Sequence, residues 1–139
     1  NRALSRTLRM AGTRLINTTS WPELGEALAD ALGRLAIPGC FIALEQPDGA
    51  HRGVIAVRDR DVSFELEGHF SRDRLFPEAM ADRPRRVTRL LEPLVLMQRR
   101  LGYAVFETGP LDGRVYAALR DHLSAAIGNL DSRRVGMPS

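Results

Sequence analysis

The residue types able to do chemistry are few in this chain and far apart. Its three histidines stand at positions 51, 69 and 122, and its one cysteine at 40. Metal centres draw ligands from His, Cys, Asp and Glu at short, set spacings, and these intervals match none. A lone cysteine also excludes an internal disulfide; Cys40 falls in an apolar run and reads as a buried, inert thiol. Ser5, Ser20 and Ser124 have no histidine or acid placed to activate them, so no hydrolase triad is read. Glycine-rich phosphate loops are absent. His122 is followed by Leu123 rather than an acid, so it lacks the His-Glu start of a phosphoacceptor box. The expectation is a chain that is not an enzyme and has no metal or fixed cofactor, although an unknown small ligand is possible.

What remains is binding chemistry. Glu45, Glu92 and Glu107 each stand in, or at the end of, an apolar strand pattern. A buried carboxylate is costly without a partner. Lining one face, the three would hold a cation or an arginine; as strand ends they would face water, and that second reading is preferred. Arg83, Arg85, Arg86 and Arg89 form the densest basic cluster, read as an exposed loop flank. All twenty basic residues are arginine, set against seventeen acids for a net charge of +3. They are interleaved with the acids along the chain, so direct nucleic-acid binding is not expected.

The 139 residues suit one domain. No apolar run approaches the ~18 residues of a membrane span, and no signal-peptide pattern opens the chain. A cytoplasmic protein with no membrane partner is expected. The chain begins with Asn1 and is read as a fragment of a longer protein. Residues 1–131 would form the domain and 132–139 a disordered tail or linker.

Hydrophobic periodicity places the elements that must position any site. Leu4, Leu8, Ala11 and Leu15 form a heptad-like seam on a helix over 2–18. Ser20-Trp21-Pro22-Glu23 fits a capping box, with Trp21 packing at the helix entrance. Leu24, Leu28, Ala31, Leu32 and Leu35 then form one stripe. Cys40 to Leu44 reads as a central strand covered on both faces, and Gly53 to Val57 as its hairpin return. Val62, Phe64 and Leu66 alternate as a short strand. Arg86 to Met97 forms a long strand in which Pro93 marks an edge or a bulge. Leu101 to Glu107 is the last strand. A final helix near Asp112 to Leu130 repeats Tyr116, Leu119, Leu123, Ala126 and Leu130 at helical spacing. Phe41, Leu44, Leu94, Val105 and Phe106 are the expected core. The fold class is α+β: an antiparallel sheet of about five or six strands, with the N- and C-terminal helices packed on one face.

The last third carries a resemblance. Leu101 to Pro110 reads LGYAVFETGP, Asp112-Gly113 turns, and Val115 to Leu130 reads VYAALRDHLSAAIGNL. With the element order, this resembles GAF-like sensor domains of bacterial signalling and transcription-regulator proteins. The resemblance implies a non-catalytic sensory module. It would bind a small ligand, or pass signals through its terminal helices to a covalently attached output domain in transcription or second-messenger control. The alternative is a degenerate GAF-like module that only dimerises and spaces its neighbours. Residues 58–85 match no pattern. Their bulky groups among breakers make Phe64, His69, Phe70 and Phe76 the candidate ligand pocket, with Arg58 or Arg86 as polar anchor. Leu4, Leu8 and Leu15, with Leu119 and Leu123, are the candidate contacts of a homodimer built through the terminal helices.

Overall fold

The computed structural model describes residues 2–64 and 87–136, with side chains to Asp131. Helix α1 spans Arg2–Ile16 and α2 spans Trp21–Arg34. Between them the predicted cap forms with a one-residue difference. The Ser20 hydroxyl accepts the Glu23 backbone N–H at 3.2 Å, while the Glu23 carboxylate accepts the N–H and hydroxyl of Thr19 at 2.8 and 3.1 Å. Those two bonds, the backbone one foremost, hold the Glu23 carboxyl below its ordinary range. Trp21 packs against the core at the helix entrance.

Helix α2 stops in a Schellman arrangement. The Ile37 N–H reaches the Leu32 carbonyl at 2.9 Å and the Ala36 N–H reaches that of Gly33 at 3.3 Å. Ala36 takes the left-handed position, at φ 57°, where glycine is the usual residue because it has no Cβ to crowd the carbonyl.

The strands are β1 (Gly39–Glu45), β2 (His51–Arg58), β3 (Asp61–Phe64), β4 (Arg89–Leu96) and β5 (Arg99–Glu107). They form one antiparallel sheet in the order β3-β2-β1-β5-β4. Pro93 lies on edge strand β4 beside a bulge at Leu94/Val95, as its missing N–H requires. At Gly102 β5 crosses so close to β1 that a Cβ would collide with the backbone of Ala43 and Leu44.

Alternation along the strands separates two apolar clusters. Cys40, Ile42, Ile55, Ala104 and Phe106 face the helices and join Leu15, Leu24, Leu28, Leu32, Leu119 and Leu123 in the main core. Phe41, Ala43, Ala56, Tyr103 and Val105 form a smaller cluster on the other face. The run from Cys40 to Leu44 is therefore covered on both sides, as expected. All five predicted core residues are buried, Phe41, Leu94 and Phe106 almost completely. Burial pushes the Cys40 thiol far up, so it stays protonated and inert.

Helix α3, Gly113–Gly136, closes the domain. Its entry is fixed by the Tyr116 hydroxyl, which accepts the Gly109 N–H at 2.8 Å, and by the Tyr116 ring against Phe106. The backbone stays helical past residue 131, where a disordered tail was expected. No breaker intervenes before Gly136 and Pro138, so the helix has no reason to stop earlier.

Two further expectations need correction. Leu15, Leu119 and Leu123 are fully buried within the single chain. The stripes of α1 and α3 close on each other, on α2 and on the sheet, and these leucines have no surface left for a second copy. Leu4 and Leu8 are partly buried against the same core. The three strand glutamates do not simply face water; each meets its own arginine. Glu45 pairs with Arg100 at 3.0 Å, Glu92 with Arg120 at 2.9 Å and Glu107 with Arg89 at 3.5 Å.

Two stability changes follow. Phe106→Ala removes a fully buried ring and is expected to cost about 3–5 kcal/mol, read from the chemical-denaturation midpoint. Ala36→Gly relieves the left-handed strain at an exposed position and is expected to stabilise by about 1 kcal/mol, seen as a higher melting temperature.

Candidate functional site

The sheet face turned away from the helices is built rung by rung from cross-strand neighbours. At one end a row crosses all five strands: Asp61, Arg58, Gly39, Glu107 and Arg89 stand directly beside one another. Charges alternate along it, with glycine in the middle. The glycine is required by space, since a Cβ at Gly39 would fall on the Glu107 carboxylate and the Val57 carbonyl. Glu107 is only 2% exposed, and Arg89, itself mostly buried, supplies the opposite charge. A carboxylate this deep needs such compensation.

The next rungs on the same face are mainly apolar. Ser63, Ala56, Phe41, Val105 and Leu91 form one, and Ala43, Tyr103 and Pro93 the next. Phe41 meets Tyr103 edge to face at 6.4 Å, and His51 stacks at a tilt on Tyr103 at 5.0 Å. The arrangement is an apolar floor with small residues at its centre. A charged row bounds one end and a tyrosine–histidine contact marks the other. The five clustered residues of this floor are buried, none more than 7% exposed, and an apolar body with polar ends is the composition that ligand sites use. Among the described residues no three of His, Cys, Asp and Glu converge to hold a metal, and no helix is long and apolar enough to cross a membrane.

Of the predicted pocket residues, Arg58 lies on this face. Phe64 does not. Its register with Ile55 puts it on the helix side, where its ring lies over α2 in space left by Gly25. The cause is alternation: Val62 and Phe64 share one face, and Asp61 and Ser63 take the other. His69, Phe70, Phe76 and Arg86 lie outside the described residues. The sequence reading missed Ala43, Ala56, Tyr103, Arg89 and Glu107 as a group. The available signal was period-two spacing inside runs that look apolar throughout, at Phe41/Ala43 and at Tyr103/Val105/Glu107.

Burial pushes the Tyr103 phenol above its ordinary value. A folded-state value above the unfolded one, about 10, means this contribution to stability is intact below about pH 10 and fades as pH rises through the folded value. Tyr103→Phe is therefore expected to lose less stability than the parent above about pH 10, as measured by denaturation across an alkaline series.

No protein-family model matches the chain, and no curated protein matches it. Solved structures do. Over 96% of its length it is similar to the chromophore-binding domain of an unusual bacteriophytochrome from R. palustris, with TM-score 0.67 and 14% identity; it spans 62% of that chain. It is similar, over 96% of both chains, to the GAF domain of a phosphoenolpyruvate-protein phosphotransferase from Coxiella burnetii, with TM-score 0.62 and 13% identity. The phycocyanobilin-bound GAF domain from a cyanobacterial phytochrome gives TM-score 0.58 and 15% identity, over 94% of this chain and 96% of that one. At these identities the likeness is one of architecture: the chain has the GAF fold, with its antiparallel sheet backed by terminal helices.

Proposed function

We propose that this chain is a non-catalytic sensory module. It binds a small amphipathic ligand on the sheet face opposite the helices and passes the bound state to an attached output domain through α1 and α3. The observation that carries this reading is the face itself. A floor of Phe41, Ala43, Ala56, Tyr103 and Val105 ends in a row that holds Glu107 buried beside Arg89. Proteins that only need a core do not gain from a charge pair on that face, because an apolar pair of similar volume is usually as stable. The GAF fold supports the reading, since the cyanobacterial neighbour carries phycocyanobilin. Here the one cysteine, Cys40, faces the helices and is sealed. A ligand on the opposite face would thus be held by packing and polar contacts rather than by a bond to sulfur.

The output reading rests on α1 and α3, which pack against each other and hold the two ends of the described chain. Control of transcription or of a second messenger is the proposed setting, in the cytoplasm. With Leu15, Leu119 and Leu123 used internally, a homodimer through these helices would use outward residues such as Met10 and Ile16.

Two measurements test the proposal. The apolar anionic dye anilinonaphthalene sulfonate is expected to bind saturably with enhanced fluorescence. Ala43→Phe, which fills the floor, is expected to abolish that response while circular dichroism shows a folded chain; overpacking costs about 1–3 kcal/mol. Unchanged dye affinity in Ala43→Phe would place any ligand elsewhere. Sedimentation across a concentration series is expected to show a dimer that Met10→Glu converts to monomer, and a parent monomeric at every concentration would remove the dimer from the proposal.

A further inference from the structure

The far end of the sheet from Gly39 carries a second concavity with different chemistry. A cleft of about 570 Å³ opens between the β1–β2 turn, the start of β5 and the last turns of α3. That volume is in the range of small-molecule sites. Leu101 and Ile127 form part of its base, and Arg52, Arg99 and Arg100 stand around it. Its turn wall is held by hydrogen bonds from Gln46 N–H to the Ala50 carbonyl at 2.7 Å, from Gly49 N–H to the Gln46 carbonyl at 2.9 Å and from Ala50 N–H to the Asp48 carboxylate at 3.0 Å. The concavity is thus built on fixed backbone.

Three guanidinium groups meet two carboxylates in this cleft. Arg100 pairs with Glu45 at 3.0 Å and Arg99 with Asp131 at 2.8 Å. Arg52 has no carboxylate partner among the described residues. All three arginines are exposed, so each exposed pair is weak and readily exchanged. Guanidinium forks match phosphate oxygens in pairs, and several forks around one cleft favour a ligand with adjacent anionic groups over a single anion.

We propose that this cleft binds a small polyanion of the diphosphate class, held by Arg52, Arg99 and Arg100 in exchange for Glu45 and Asp131. Asp131 lies on α3, so a ligand that takes Arg99 from it unties the end of that helix from β5. Ligand occupancy is thereby linked to the segment through which α3 leaves the sheet. The site is separate from the floor beneath Tyr103 and stands or falls independently of it.

Inorganic pyrophosphate is the probe, titrated into the isotope-labelled chain while the arginine Nε–Hε and backbone amide resonances are followed. Saturable shifts are expected at Arg52, Arg99 and Arg100 and at amides around Ile127 to Asp131, with sulfate much weaker. Arg52→Gln and Arg100→Gln are each expected to weaken binding about tenfold, and Glu45→Gln to tighten it by removing a competitor. These are exposed positions, and unchanged melting curves will confirm folded variants. The proposal is overturned if pyrophosphate gives no saturable shift. It is equally overturned if Arg9 and Arg114 shift as much as the cleft arginines, or if Arg52→Gln binds as tightly as the parent.

Discussion

Strand β1 is the constraint on which the rest of the structure depends. It is hydrogen-bonded on both sides, to β2 and to β5, and it is buried on both faces. A strand in that position must be covered twice, and the chain meets the two demands differently. Toward the helices it offers Cys40, Ile42 and Leu44 to a large core of leucines. Toward the other side it offers Phe41 and Ala43 to a small cluster with Tyr103 and Val105. The first is sealed by long apolar side chains on three helices. The second is smaller, is built partly of alanines, and borders a row of charges. The two faces of one strand thus carry cores of very different size.

Arginine does much of the positioning outside the core. Arg120 joins α3 to Glu92 on the edge strand, Arg89 neutralises Glu107, and Arg14 and Arg34 share Asp30 between α1 and α2. The Arg34 hydrogen bond holds the Asp30 carboxyl below its ordinary value. The exposed pairs of Arg14 and Arg34 with Asp30 contribute about 0–1 kcal/mol each. Their main effect is geometric, fixing which strand or helix sits beside which.

Much of this architecture was legible in the sequence because local rules agreed with the global fold. Ser20 and Glu23 announced α2, Pro93 announced an edge, and the helical spacing of Tyr116 to Leu130 announced α3. Three kinds of information were not legible. Strand runs that are apolar throughout do not say which residues face which side, so the Tyr103 floor was missed, while the alternation of Val62 and Phe64 did not say which side of the sheet the helices cover. Leucine repeats say that a helix is buried but not by what, so Leu15, Leu119 and Leu123 read as contacts for a second copy. The tight hairpin turns are also disguised. Asp59-Arg60 and Met97-Gln98 both adopt positive φ as two-residue loops of the mirror-image kind, without the Asn-Gly signature that usually marks them.

The contact between Gly12 and His122 sets how closely the two terminal helices approach. The His122 imidazole occupies the space where a Cβ on Gly12 would stand, so α1 has a notch that receives a tooth from α3. Ala11 and Thr13 stand about 100° to either side of Gly12 on the helix, so the glycine alone faces the ring. Helix α3 has 24 residues, a rod of about 36 Å, and the notch lies near its middle. A larger residue at position 12 would therefore hold α1 away from the midpoint of that rod and open the seam on which both terminal helices close.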